Sequence, residues 1–167
     1  MNDFFSIGLL IIAGALFAMS EISMAAARKI KLRVLADEGY VKALAVLKLQ
    51  QKPGAFFAMI QIALNAIAIL GGIIGEQTLT PYIKKVVEFV YSGPLLDQIS
   101  FVLSFLSLTS LFILFADLLP KRLAIIMPEA VAIRMVTPML WVTFLLTPVV
   151  FLFNGITNTI LRLFNVP

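Results

Sequence analysis

Residues 99–120, ISFVLSFLSLTSLFILFADLLP, are an unbroken run of apolar and hydroxyl-bearing side chains that ends in Asp117 and Pro120, with Lys121 directly after. About 20 such residues are what a helix needs to cross a bilayer. A carboxylate at membrane depth costs roughly 3 kcal/mol on insertion scales, so an acid there faces a bundle interior or a wet cavity. Asp117 is therefore a candidate cation site.

The rest of the chain has the same character. Of its 167 residues, 61% are hydrophobic and only 13% charged, with a mean hydropathy of +1.04. That balance fits a bilayer solvent and predicts an all-α integral membrane domain. One bundle uses up the length, because each crossing takes about 20 residues. The absence of cysteine excludes disulfides and thiolate ligation. With no histidine either, a zinc or copper site is not expected, and any metal must accept oxygen ligands, which points to hard ions such as Mg²⁺. Cationic amines fit an oxygen-lined site equally well.

The net charge of +4 raises the question of nucleic acid, but the basic residues lie in short segments between apolar runs. Membrane orientation explains them, and no nucleic-acid partner is expected. Residues 1–27 form the first expected span. No basic residue precedes the apolar run, whereas Arg28, Lys29, Lys31 and Arg33 follow it directly. That order is wrong for a cleaved signal peptide and right for a retained span with its N-terminus outside. Residues 28–52 mix Ile30, Leu32, Leu35, Val41, Leu44, Val46 and Leu47 with seven Lys or Arg around the turn Asp37-Glu38-Gly39. This predicts two short amphipathic helices on the cytoplasmic membrane surface.

Pro53 and Gly54 open a second span, 53–75, which closes on Gly71, Gly72 and Gly75, glycines that permit close helix contact within the protomer or across a dimer. Residues 76–98 hold Glu76, Glu88, Asp97, Lys84, Lys85, Pro81, Gly93 and Pro94, and read as an outer loop carrying a short helix. The third span, 99–120, leads into a juxtamembrane helix region, 121–167. The apolar run 138–153, with Pro138 and Pro148, reads as a kinked helix along or dipping into the inner leaflet, the alternative being a fourth crossing.

Within these spans four polar groupings can carry chemistry. Ser20, Glu21 and Ser23 lie near the inner end of the first span, and Glu21 either serves a cation or pairs with Arg28. Gln61 and Asn65 share a face of the second span at i, i+4, offering carbonyl oxygens to a cation or hydrogen bonds to a neighbouring helix. Asp117 precedes a proline that removes a backbone donor, so a loosened helix end can present several oxygens beside the carboxylate. An Asp117–Lys121 pair that neutralises both groups is the competing reading. Ser100, Ser104, Ser107 and Ser110 trace one stripe, read as a packing seam or a polar path. No phosphate-binding loop, histidine triad or metal motif occurs, so no enzyme activity is expected.

The segments MSEISMAAAR (19–28), QIALNAIAILGGIIGE (61–76) and ADLLPKRLA (116–124) resemble the transmembrane domain of the CorC/CNNM-type cation transporters, and within them the bacterial polyamine-exporting branch. The resemblance spans essentially the whole chain. It implies three spans, paired cytoplasmic surface helices, a juxtamembrane helix, homodimers and a bacterial inner-membrane location. Carried over by residue, it implies that Ser20, Asn65 and Asp117 would be the metal ligands if Mg²⁺ were the cargo, with no other cofactor in this chain. Two departures stand out: the acid before Pro-Lys is Asp where the family has Glu, and a Gly-Asn pair of the second span is replaced by Ala63-Leu64. A shorter acid and one fewer amide suit an amine-accepting pocket. Family members continue into a nucleotide-binding CBS pair, expected to be absent from this chain. The resulting expectation is export of putrescine and cadaverine, with Asp117 and Glu21 neutralising ammonium groups, Asn65 and Ser20 accepting their hydrogen bonds, and Ser23 and Gln61 completing the binding site. Mg²⁺ or Co²⁺ efflux is the alternative, and a non-transporting sensor coupled to CBS domains the second.

Overall fold

A computed structural model describes residues 2–51 and 53–163. Lys52 and residues 164–167, which end two of the expected segments, lie outside the described residues. Every regular element among the described residues is helical. The chain divides into two compact units, one made of Met1–Met19 and Ala63–Ile126, the other of Ser20–Ile62 and Met127–Pro167.

In the first unit, the upper part of α1 (Asn2–Ala26) joins most of α4 (Gly54–Glu88) and the stretch from α5 (Leu96–Phe112) through α6 (Leu119–Ile126). α4 does not stop at Gly75. It runs 35 residues, about 52 Å at 1.5 Å per residue, and absorbs most of the segment expected to be a loop. Each interior glycine costs roughly 1 kcal/mol of helix propensity, yet two of them are contact points. A Cβ on Gly71 would meet the Phe112 ring, and one on Gly75 would meet the Leu108 side chain. Past Pro81, which cannot donate to the preceding turn, the helix holds on through Tyr82, whose ring sits edge-on to Phe4 at 5.5 Å. Residues 89–95 make the turn, and Lys84 pairs with Asp97 across it.

The third apolar stretch is also continuous. It neither ends nor frays at Asp117. Pro120 has no N–H for the carbonyl of Ala116, and the helix answers by widening into a π-turn over Ile113–Leu118, in which the Leu119 N–H donates to the Leu114 carbonyl five residues back. The serine stripe divides. Ser100 and Ser104 are buried with Leu108 at i, i+4, i+8, while Ser107 and Ser110 are exposed. Ser100 satisfies itself on the Leu96 carbonyl at 2.7 Å.

The second unit holds the lower part of α1, α2 (Lys29–Asp37), α3 (Val41–Gln51), the start of α4 and α7 (Pro128–Leu163). α2 ends in a Schellman turn: Gly39 takes φ +97°, its N–H donates to Ala36 and that of Tyr40 to Leu35. Leu32, Ala43 and Val46 are buried, whereas Ile30, Val34, Val41 and Leu44 stand exposed, so only part of the apolar side chains of this pair turns inward. The Gln50 amide of α3 donates to the Met24 and Ala27 carbonyls, both at 2.9 Å, and so caps the C-terminus of α1. Gln50→Ala strips both carbonyls of their donor. We expect a loss of about 1–3 kcal/mol, read as a lowered unfolding temperature of the detergent-solubilised protein.

α7 runs well beyond the kinked segment expected at 138–153. Pro138 and Pro148 lie inside one 36-residue helix, not at its ends. The Thr143 and Thr147 hydroxyls donate to the Met139 and Thr143 carbonyls, the i−4 back-bonding by which threonine satisfies itself in an apolar helix. Among the described residues, four helices are long and apolar enough to cross a membrane: Asp3–Ala26, Gly54–Glu88, Leu96–Ile126 and Pro128–Leu161.

Candidate functional site

The π-turn sets the site. In the first unit it brings Asp117 and Ala116 to an open pocket of about 270 Å³ that is also lined by Gly14, Leu64, Asn65, Ile67, Ala68, Phe112 and Ile113. That is the liquid volume of about nine waters. Of the lining side chains, only Asp117 and Asn65 are polar; the rest form an aliphatic and aromatic wall. Gly14 is needed here because a Cβ would come within 3.0 Å of the Ala116 Cβ. Asn65 and Asp117, anticipated as partners from the sequence, are brought together on this pocket.

Asp117 is already paired. Lys121 Nζ lies 2.6 Å from Asp117 Oδ1, with the lysine side chain 28% and the aspartate 44% exposed. The competing sequence reading, an i, i+4 neutralising pair, is thus realised together with the pocket and not in place of it.

The other expected residues belong to the second unit. Ser20 and Ser23 are buried among Met24, Phe56, Ala132, Met135, Val136 and Met139, in a contact with no room for a water. Ser23 Oγ donates to the Ser20 carbonyl at 3.3 Å. Glu21 accepts from Gln61 Nε2 at 2.8 Å, so Gln61 serves as donor to an acid where a carbonyl acceptor was anticipated. Arg28, foreseen as a partner for Glu21, pairs with Glu129, which also receives the Arg28 backbone N–H at 3.3 Å and Lys31 at 3.8 Å. This buried acid in the first turn of α7 holds the junction of α1 and α2, and the helix N-terminus favours its charge.

Sequence reasoning missed Gly14, Phe112, Glu129 and Gln50. Gly14 had a usable signal, a lone glycine within an apolar run. Glu129 had one as well, an acid directly after Met127-Pro128 at a helix start. Among the described residues no three His, Cys, Asp or Glu side chains converge to hold a metal ion.

Residues 5–166 match the family described as the cyclin M transmembrane N-terminal domain. The chain is 52% identical over its whole length to a protein named polyamine export protein from Salmonella typhimurium, and 50% identical to the one from Escherichia coli K12. It is 45% identical over 157 residues to the protein of that name from Haemophilus influenzae. The matches cover 37%, 37% and 36% of those proteins, so the chain spans little more than a third of their length.

Proposed function

Since this chain belongs to the cyclin M transmembrane N-terminal domain family, and is a multi-pass membrane protein by its four apolar helices, we propose that it forms the membrane part of a polyamine exporter. Putrescine and cadaverine, short alkyl chains with an ammonium at each end, are the cargo. The proposal includes an inner-membrane location, an outside N-terminus, a homodimer and transport by alternating access rather than enzymatic chemistry.

One observation supports this above the others: the pocket offers a single carboxylate and a single amide against an otherwise apolar wall. A diamine fits that division with one ammonium on Asp117 and the Asn65 carbonyl, methylenes along Ile67, and the second ammonium near the Phe112 ring. Mg²⁺ or Co²⁺ efflux draws on the same two oxygens, but a hard dication that keeps several waters gains nothing from an aliphatic wall. A non-transporting sensor requires no pocket fitted to a cargo.

The test is flux into proteoliposomes carrying the purified protein. Labelled putrescine should move in a saturable manner, competed by cadaverine and indifferent to Mg²⁺. Movement of Mg²⁺ without putrescine would favour metal efflux, and movement of neither would leave the sensor.

A further inference from the structure

We propose that Lys121 is a resident competitor for the amine: its ammonium sits on Asp117 between transport cycles, and an incoming polyamine ammonium displaces it. This rests on the polyamine reading of the pocket and adds a residue that tunes its affinity and release.

Chemistry links the two cations. A lysine side chain is four methylenes ending in a primary ammonium, the same group, at the same reach, as one half-occupied diamine. It holds Asp117 at 2.6 Å, at the edge of the pocket that Asp117 lines. The π-turn and Pro120 place both residues on one rigid stretch, so the tethered ammonium is always near its acid at high effective concentration. With Lys121 on the carboxylate, the acid carries no uncompensated charge into a low-dielectric wall. When an amine takes over, Lys121 retains a route to water, since more than a quarter of its side chain is already exposed. Exchange of one ammonium for another leaves the charge on Asp117 balanced at each step. It also keeps binding weak enough for release, and it opposes ligands that cannot replace an ammonium hydrogen bond in kind.

The experiment compares the reconstituted wild-type protein with Lys121→Met and Lys121→Arg, using putrescine as the probe. Removal of the competitor should tighten equilibrium putrescine binding by about tenfold in Lys121→Met while lowering its maximal flux, and Lys121→Arg should retain weak binding. A second readout needs no variant: the NMR resonance of the Lys121 methylene beside its ammonium should move toward that of a solvent-exposed lysine when putrescine is added. Unchanged or weaker binding in Lys121→Met, or a Lys121 resonance that putrescine leaves in place, would overturn the displacement while putrescine transport stood. Failure of wild-type protein to bind putrescine at all would instead remove the polyamine reading and this inference together.

Discussion

Asp117→Asn abolishes putrescine export, with a fall of roughly 100-fold or more in proteoliposome flux. Truncating the charge of one partner in a hydrogen-bonded ion pair costs about 2–5 kcal/mol of binding, and Asp117 is the sole acid on the pocket wall. The variant keeps the side chain's size, and Lys121, already partly exposed, carries its charge to water, so the protein stays folded. Asp117→Glu restores the charge one methylene further out and should recover part of the flux. Sensitivity of the host cell to Mg²⁺ should change little. Should Asp117→Asn export putrescine normally while Mg²⁺ tolerance falls, the pocket would belong to a metal ion.

Gly75→Leu unfolds the first unit at markedly lower temperature. A Cβ at this position runs into the Leu108 side chain, both methyls and the branch carbon, and that side chain is buried, so it must give way within packed surroundings. Overpacking of this kind costs about 1–3 kcal/mol, and up to roughly 1 kcal/mol is returned by helix propensity. Leu108→Ala made alone leaves a gap in the α4–α5 seam, yet combined with Gly75→Leu it should recover much of the stability. A coupling of about 0.5–3 kcal/mol between the two sites, read by thermal unfolding in detergent, is the expected signature. Additive effects would mean that Gly75 and Leu108 do not face each other.

Much of this architecture was readable from hydropathy. The apolar runs around residues 4–27, 53–75 and 99–120 all became helices, and Asp37-Glu38-Gly39 marks the break between α2 and α3. Boundaries failed where a local rule lost to packing. The second span was read as closing on Gly71, Gly72 and Gly75, but the helix runs on; the close contact expected of these glycines is present at two of them, where missing side chains admit Phe112 and Leu108. Pro138 and Pro148 looked like breaks. Each removes one backbone donor from a helix of 36 residues, and the helix runs on.

The site was legible only in part, for a related reason. Asn65 and Asp117 announced themselves as polar groups in apolar surroundings. The pocket between them depends on Gly14 and Phe112, residues whose importance lies in shape and cannot be inferred from polarity. Glu21 and Gln61 were both recognised, but that they meet follows from their placement on α1 and α4, which the sequence does not record; once they meet, the carboxylate accepts and the amide donates. Pro120 was read as loosening a helix end. It instead drives the extra residue of a π-turn, which presents Asp117 to the pocket without breaking the helix.

A high-resolution experimental map of the reconstituted protein with bound putrescine addresses the central claim most directly. The account predicts elongated density that begins between the Asp117 carboxylate and the Asn65 amide oxygen and runs along Phe112 and Ile67. Density for the amine elsewhere, with Asp117 still clasped by Lys121, would contradict it, as would a compact ion ringed by oxygens in the same pocket.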